Sequence, residues 1–140
     1  MADPNEVQIE ITSQPDELAK FIGLVDTFCD AQTIEDGIRF KLHMVIEELA
    51  SNTINYGYRD VDDGWLRLAL RLVDGTIIVT LEDGADQFDI TVHDVEPDRD
   101  AELEDRQVGG LGIFLVKEMT DAIRYQREGR TNRVILEIKQ

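Results

Sequence analysis

The stretch from Trp65 to Glu82 leaves this chain few choices of fold. Leu66, Leu68, Leu70 and Leu72 alternate with other residues, so they fall on one face of an extended strand over residues 65–73. Asp74-Gly75 follows, a dipeptide suited to the two-residue turn of a β-hairpin, and residues 76–82 read as the returning strand. An antiparallel pair with one apolar face has to cover that face with another layer.

The rest of the chain supplies the cover. Val7, Ile9 and Ile11 alternate as a first strand. Ser13-Gln14-Pro15-Asp16 has the marks of a helix start: a Ser cap, an early Pro and an acidic first turn. Leu18, Phe21, Ile22, Val25, Phe28 and Cys29 form the apolar stripe of that helix, and Cys29 on the stripe reads as packing. A second helix spans about 36–55, with Ile38, Leu42, Val45, Ile46 and Leu49 facing the core and Gly57 near its end. A long, mostly polar connection covers 89–108, followed by a glycine cluster and a helix to Met119. Residues 123–127 and 133–138 read as a terminal hairpin across 128–132. The order β-α-α-β-β-loop-α-β-β predicts an α/β two-layer sandwich: a mixed, mostly antiparallel sheet with three helices on one face. Strands and helices do not alternate, so a doubly wound sheet fits poorly, and Gly110-x-Gly112 lacks the βα unit of a dinucleotide fingerprint.

At 140 residues, one domain over 1–140 is expected. Thirty acidic residues against 14 basic give a net charge of −16. That balance argues against nucleic acid and anionic membranes as partners and suits a basic protein. The single cysteine forms no internal disulfide, and from the polar, acidic start no signal peptide is expected. With no apolar run of membrane-spanning length, a cytoplasmic location is expected.

Three segments carry chemistry. In Val108-Gly109-Gly110-Leu111-Gly112-Ile113-Phe114-Leu115-Val116 the glycines bare the backbone just before a helix. Free N–H groups and the helix dipole make such a point attractive to a phosphate. On the second helix, at about 100° per residue, Ile38, Val45, Ile46 and Leu49 fall within roughly 60° of Leu42. Glu48, Asn52 and Asn55 cluster at roughly 220–280°, and Glu47 lies near 140°. A carboxylate and an amide four residues apart can hold a water, a hydroxyl or Mg2+, although spacing alone favours a solvated helix edge. Finally, Asp83-Gly84-Ala85-Asp86-Gln87-Phe88-Asp89 follows an apolar strand. Asp83 there can accept from an exocyclic amine such as that of adenine; a plain Asp-Gly turn is the simpler reading of the segment by itself. His43 and His93 belong to no metal-ligand constellation and read as surface or loop residues, and Lys117 reads as helix surface.

In order and spacing, these blocks resemble the GHKL ATPase superfamily with its Bergerat nucleotide-binding fold. More narrowly, they resemble the anti-sigma-factor serine kinases of bacterial partner-switching systems. Glu48-x-x-x-Asn52, with the Gly57-Tyr58 exit, is similar to that family's N box. Asp83 through Phe88-Asp89 is similar to its adenine box, and Gly109-Gly110-Leu111-Gly112, continuing to Asp121 and Tyr125, to its second glycine box. The resemblance implies a serine/threonine protein kinase and anti-sigma factor using ATP and Mg2+. Its partners would be a sigma factor and a STAS-domain anti-anti-sigma protein, and the chain would form a homodimer. It implies Glu48 as general base, Asn52 as the Mg2+ ligand and Asp83 as the acceptor for the adenine amine. Phe88, Gly109, Gly110, Leu111, Gly112 and Asn132 would complete the nucleotide site, with 89–108 as an ATP lid. The chain departs from the pattern at Ala85, where a glycine is usual, and at Tyr56, where a histidine is common. Its lid is acidic, with seven carboxylates and one Arg between Asp94 and Asp105. The alternative is a non-catalytic module of the same fold that binds nucleotide or sequesters a partner.

Overall fold

The computed structural model describes residues 6–61, 63–92 and 110–140, with the backbone alone at Gly110 and Leu111. Strand β1 (Glu6–Thr12) leads through a 3-10 turn (Pro15–Glu17) into α1 (Leu18–Gln32) and then α2 (Asp36–Asn52). After a π turn (Thr53–Gly57) come β2 (Trp65–Val73) and β3 (Thr76–Asp83). Helix α3 (Gly110–Met119) precedes β4 (Ala122–Glu128) and β5 (Thr131–Lys139). The sheet order is β1-β2-β3-β5-β4, and all four neighbouring pairs are antiparallel, so the expected mixture reduces among the described residues to an antiparallel sheet.

The alternating leucines do what their period requires. Leu66, Leu68 and Leu70 of β2, Ile77, Val79 and Leu81 of β3, and Leu136 and Ile138 of β5 are all buried on the helical side. Phe21, Val25, Phe28 and Cys29 of α1 and Ile38, Leu42, Val45, Ile46 and Leu49 of α2 meet them there. Burial raises the Cys29 thiol above its usual range, as expected of a packing residue. The opposite face is polar at its centre. Glu10, Arg67, Glu82 and Arg133 form a ladder of ion pairs across β1, β2, β3 and β5, at 2.7, 3.5 and 3.0 Å. The β2–β3 turn has positive φ at both Asp74 (51°) and Gly75 (79°), the geometry that matches hairpin twist.

Three local expectations change. Ser13 does not cap α1: its hydroxyl accepts from Gly64 N at 3.1 Å, and its own N–H donates to Gly64 O at 2.9 Å. The pair lengthens the β1–β2 ladder by one step, and tertiary pairing thereby outcompetes capping. Helix α2 ends in α form at Asn52, not near Asn55, because Tyr58 N bonds Thr53 O at 2.8 Å across five residues. The last turn of the terminal hairpin is tighter than expected. Gly129 takes φ 60°, and Thr131 and Asn132 already belong to β5.

Candidate functional site

Asp83, the last residue of β3, lines a cavity of about 290 Å³. Residues of α2, the π turn, β3, the loop after it and β5 form its walls. Most of the lining is apolar, including Leu49, Ala50, Leu66, Leu81, Ile90 and Val134. A cavity of this kind, with a few placed polar groups, suits a flat organic ring.

The polar groups on the Asp83 side are tied together. Asp83 Oδ1 accepts from Ala85 N and from Asn132 Nδ2, both at 2.9 Å. Asn132 lies directly opposite Asp83 in the β3–β5 register and is 4% exposed. Its Nδ2 also donates to Ala85 O (3.1 Å) and Asp86 O (3.0 Å). Its Oδ1 accepts from the Tyr125 hydroxyl (2.5 Å) and from Arg127 Nη1 (3.0 Å). Arg127 Nη1 donates to Ala85 O as well, at 2.9 Å. Burial pushes the Asp83 carboxyl above the usual range, and bonds from Asn132, Ala85 N and Thr53, with the Arg127 charge, pull it back.

Tyr58 braces the same wall from the end of the π turn. Its hydroxyl donates to Trp65 O at 2.7 Å and accepts from Gly84 N at 2.6 Å. A β-carbon at Gly84 would lie 2.7 Å from Trp65 Nε1, so the backbone here requires glycine. Beside it, Ala85 is buried, and its methyl sits 3.0 Å from where a β-carbon on Gly57 would stand.

The other side of the site comes from two helices. Glu48 is half-buried and Glu47 exposed, in keeping with the expected register of α2. Gly112, in the first turn of α3, runs against them: a β-carbon there would collide with Glu48 Oε2 and lie 3.9 Å from Asn52 Nδ2. Asn52 therefore stands at both places, lining the cavity and facing Gly112. The first turn of α3, whose N–H groups have no partner within the helix, lies at the same point. Asn55 does not join this group. The π turn breaks the 100° step, leaves Asn55 exposed and turns Thr53, Tyr56 and Gly57 to the cavity.

Residues 11–138 match the histidine kinase-like ATPase domain family. The chain belongs to that family. Among curated relatives of this ATPase domain is the serine-protein kinase RsbW of Listeria monocytogenes serotype 4a (strain HCC23). It is 26% identical over 104 residues, which cover 70% of this chain and 62% of that protein. RsbW of Staphylococcus aureus (strain bovine RF122 / ET3-1) is 24% identical over 89 residues, or 61% of this chain and 56% of the relative. The chain thus spans about three-fifths of the length of these relatives. The structure of the RsbU and RsbW domains of Rv1364c from Mycobacterium tuberculosis superposes with a TM-score of 0.67 at 13% identity, covering 96% of this chain and 32% of that one. The Acinetobacter baumannii histidine kinase AdeS gives 0.54 at 15% identity, covering 95% and 67%. These likenesses agree with the two-layer fold and with the family resemblance of the motifs.

Within the ATPase domain, Asn52, Asp83, Phe88 and Asn132 line one cavity, and Glu48 and Gly112 meet beside it at Asn52. Gly110 and Leu111 open α3. Gly109, His93 and the 93–108 part of the expected lid lie outside the described residues. His43 is a half-buried residue bonded to Asp26 at 2.8 Å. Sequence reasoning missed Thr53, Arg127 and the bracing roles of Tyr58 and Tyr125, which it had named only as motif positions. The signal for Tyr125 and Arg127 was present: they alternate with Ile123 on the β4 face turned toward the helices. Among the described residues, no helix is long and apolar enough to cross a membrane.

Proposed function

We propose that this chain is a cytoplasmic serine/threonine protein kinase and anti-sigma factor, which binds a sigma factor and uses Mg-ATP to phosphorylate a serine on a STAS-domain antagonist. The observation that carries the reading is the meeting of Glu48, Asn52 and Gly112 beside the Asp83 cavity. The name serine-protein kinase RsbW on the relatives supports the same choice.

The residues fit the substrate. A half-buried carboxylate in an apolar slot suits a planar base that offers an amine, with Phe88 at its side. Gly110, Leu111 and Gly112 at the start of α3 suit phosphate oxygens, with Gly109 just before them. Among the described residues, no group of three or more His, Cys, Asp or Glu side chains can hold a metal. Asn52 would serve as one ligand to Mg2+, with the nucleotide's phosphates supplying others, the usual way this ion is held. When bound, ATP would supply the phosphoryl group and Mg2+ would offset its negative charge. Glu48 takes the proton from the acceptor serine hydroxyl as that oxygen bonds to the γ-phosphorus and ADP leaves. The rest is positioning: Asn52 and Gly112 hold the phosphate end and Asp83 the base end.

The test is to incubate the purified chain with labelled ATP, Mg2+ and the STAS-domain protein encoded nearby. Label on a serine of that protein, with a sigma factor recovered in pull-downs from the native cytoplasm, is the expected result. Nucleotide binding with no transfer to any STAS partner identifies the non-catalytic switch module instead.

A further inference from the structure

An asparagine amide has two N–H donors and an oxygen with two lone pairs. Those of Asn132 are engaged inside the protein: Nδ2 with Asp83 Oδ1, Ala85 O and Asp86 O, Oδ1 with the Tyr125 hydroxyl and Arg127. The side chain lines the cavity, yet its amide has nothing left for a ligand. The effect falls on Asp83. With Asn132 and Ala85 N both on Oδ1, that oxygen is full, and Oδ2 is the one able to receive a ligand's donor.

We propose that Asn132 is a positioning residue that sets base selectivity: by fixing Asp83 Oδ1 and the Ala85 and Asp86 carbonyls, it holds Asp83 as an acceptor, so the cavity takes a purine edge bearing an amine and rejects one bearing a carbonyl. The inference rests on the nucleotide reading above and extends it to a residue that does not touch the nucleotide.

The groups facing Asp83 are Arg127 from β4, Thr53 and Tyr58 from the π turn and its exit, and Asn132 from β5, whose amide also holds the Asp86 carbonyl. Glu82, its neighbour on the other face, is paired with Arg133. Loss of the Asn132 donor leaves burial less opposed, so the Asp83 carboxyl moves further up. Protonated Asp83 offers an O–H, which a guanine carbonyl can accept. ATP affinity falls as pH drops through the Asp83 titration, and the variant begins to fall at a higher pH.

The experiment measures Mg-ATP and Mg-GTP binding by calorimetry from about pH 5 to about pH 8.5, spanning the range of raised carboxyl titrations. Wild type, Asn132→Val and Asn132→Thr are compared, and the Asp83 side-chain carbon is titrated by NMR in each nucleotide-free protein. Wild type should prefer ATP. Asn132→Val should lose about tenfold or more of the ATP/GTP ratio, and its Asp83 should titrate at higher pH. Asn132→Thr, which keeps a shorter donor, should fall between. Equal weakening of both nucleotides with an unmoved titration overturns the proposal, because a merely structural residue behaves that way. If Asn132→Val does not fold, an unmoved ratio and titration in Asn132→Thr overturn it equally. A wild type that binds neither nucleotide overturns the nucleotide reading and base selectivity with it. A wild type that binds ATP beside unmoved variants overturns the role of Asn132 alone.

Discussion

At the Asp83 end of the site, Asp83, Asn132, Tyr58 and Gly84 are bonded to one another or to neighbouring backbone. At the Glu48 end, the Glu48 and Asn52 side chains make no hydrogen bond to another described residue. Among the described residues, the first wall is bonded to itself, whereas the second presents polar side chains that those residues do not engage. A finished wall ties selectivity to stability, since its polar groups serve both. An open wall separates them, because groups not used by the fold can be changed at little structural cost.

The largest expected effect tests the open wall. Glu48→Gln should fold, bind Mg-ATP and the STAS partner, and lose about 10²–10⁴-fold in transfer rate, the usual cost of removing a general base. Glu47→Gln, on the exposed side of α2, should remain active. Single-turnover transfer assays on both variants decide it. A dead Glu47→Gln beside a live Glu48→Gln would mean that the base is misassigned.

Two glycines sharpen the contrast further. At Gly84, an added β-carbon meets the rigid Trp65 indole at 2.7 Å, and at Gly112 it meets the movable end of Glu48. Gly84→Ala should cost about 1–3 kcal/mol of stability, as overpacking does. Gly112→Ala should unfold within about 0.5 kcal/mol of wild type, yet transfer slowly because Glu48 is displaced. Denaturant melts and transfer rates measured together separate the two, and equal destabilisation would erase the distinction between the walls.

Asp83→Asn breaks the finished wall in one direction only. The new amide oxygen can keep the bonds from Ala85 N and Asn132, while an NH2 replaces Oδ2 and faces the adenine amine. ATP affinity should drop by about 1–3 kcal/mol, the cost of a buried mismatch. Stability should move the other way. Burial raises the carboxyl of the folded protein, so the stability Asp83 contributes is present at low pH and is lost as pH rises through its folded titration. At neutral pH the variant, which does not ionise, should therefore melt at or above wild type, and the advantage should vanish in acid. Thermal melts at both pH values check the sign.

The two walls also differed in how far the sequence revealed them. The sheet, the helices and the Glu48–Asn52 register follow from periods of 2.0 and 3.6, which a single chain displays directly. Asp83 stood out as an acidic residue ending an apolar strand. The bracing of Asp83 did not, because it depends on register between β3, β4 and β5, which local patterns leave open. Asn132 was placed in a turn when it is a strand residue facing Asp83, Tyr125 was matched only to the glycine box, and Arg127 passed as an ordinary member of a hairpin. Asn55 failed for a related reason: one π turn, set by a single bond across five residues, cancels a helical extrapolation.

The smallest expected effect concerns Ala85, the departure from the family's glycine. Its methyl is buried and rests beside the bare α-carbon of Gly57, a pairing in which the extra carbon of one residue fills the space left by the other. Its N–H donates to Asp83 and its carbonyl accepts from Asn132 and Arg127, so the backbone is already held. Ala85→Gly should lose roughly 0.8 kcal/mol for the buried carbon and a further 0.5–1 kcal/mol or so for the freer chain. ATP affinity should change by less than about tenfold, or 1.4 kcal/mol, because the methyl turns toward Gly57. Paired melts and calorimetry measure both. A gain of tenfold or more would mean that the methyl crowds the nucleotide. The finished wall would then be finished against its own ligand, and the non-catalytic reading would take precedence.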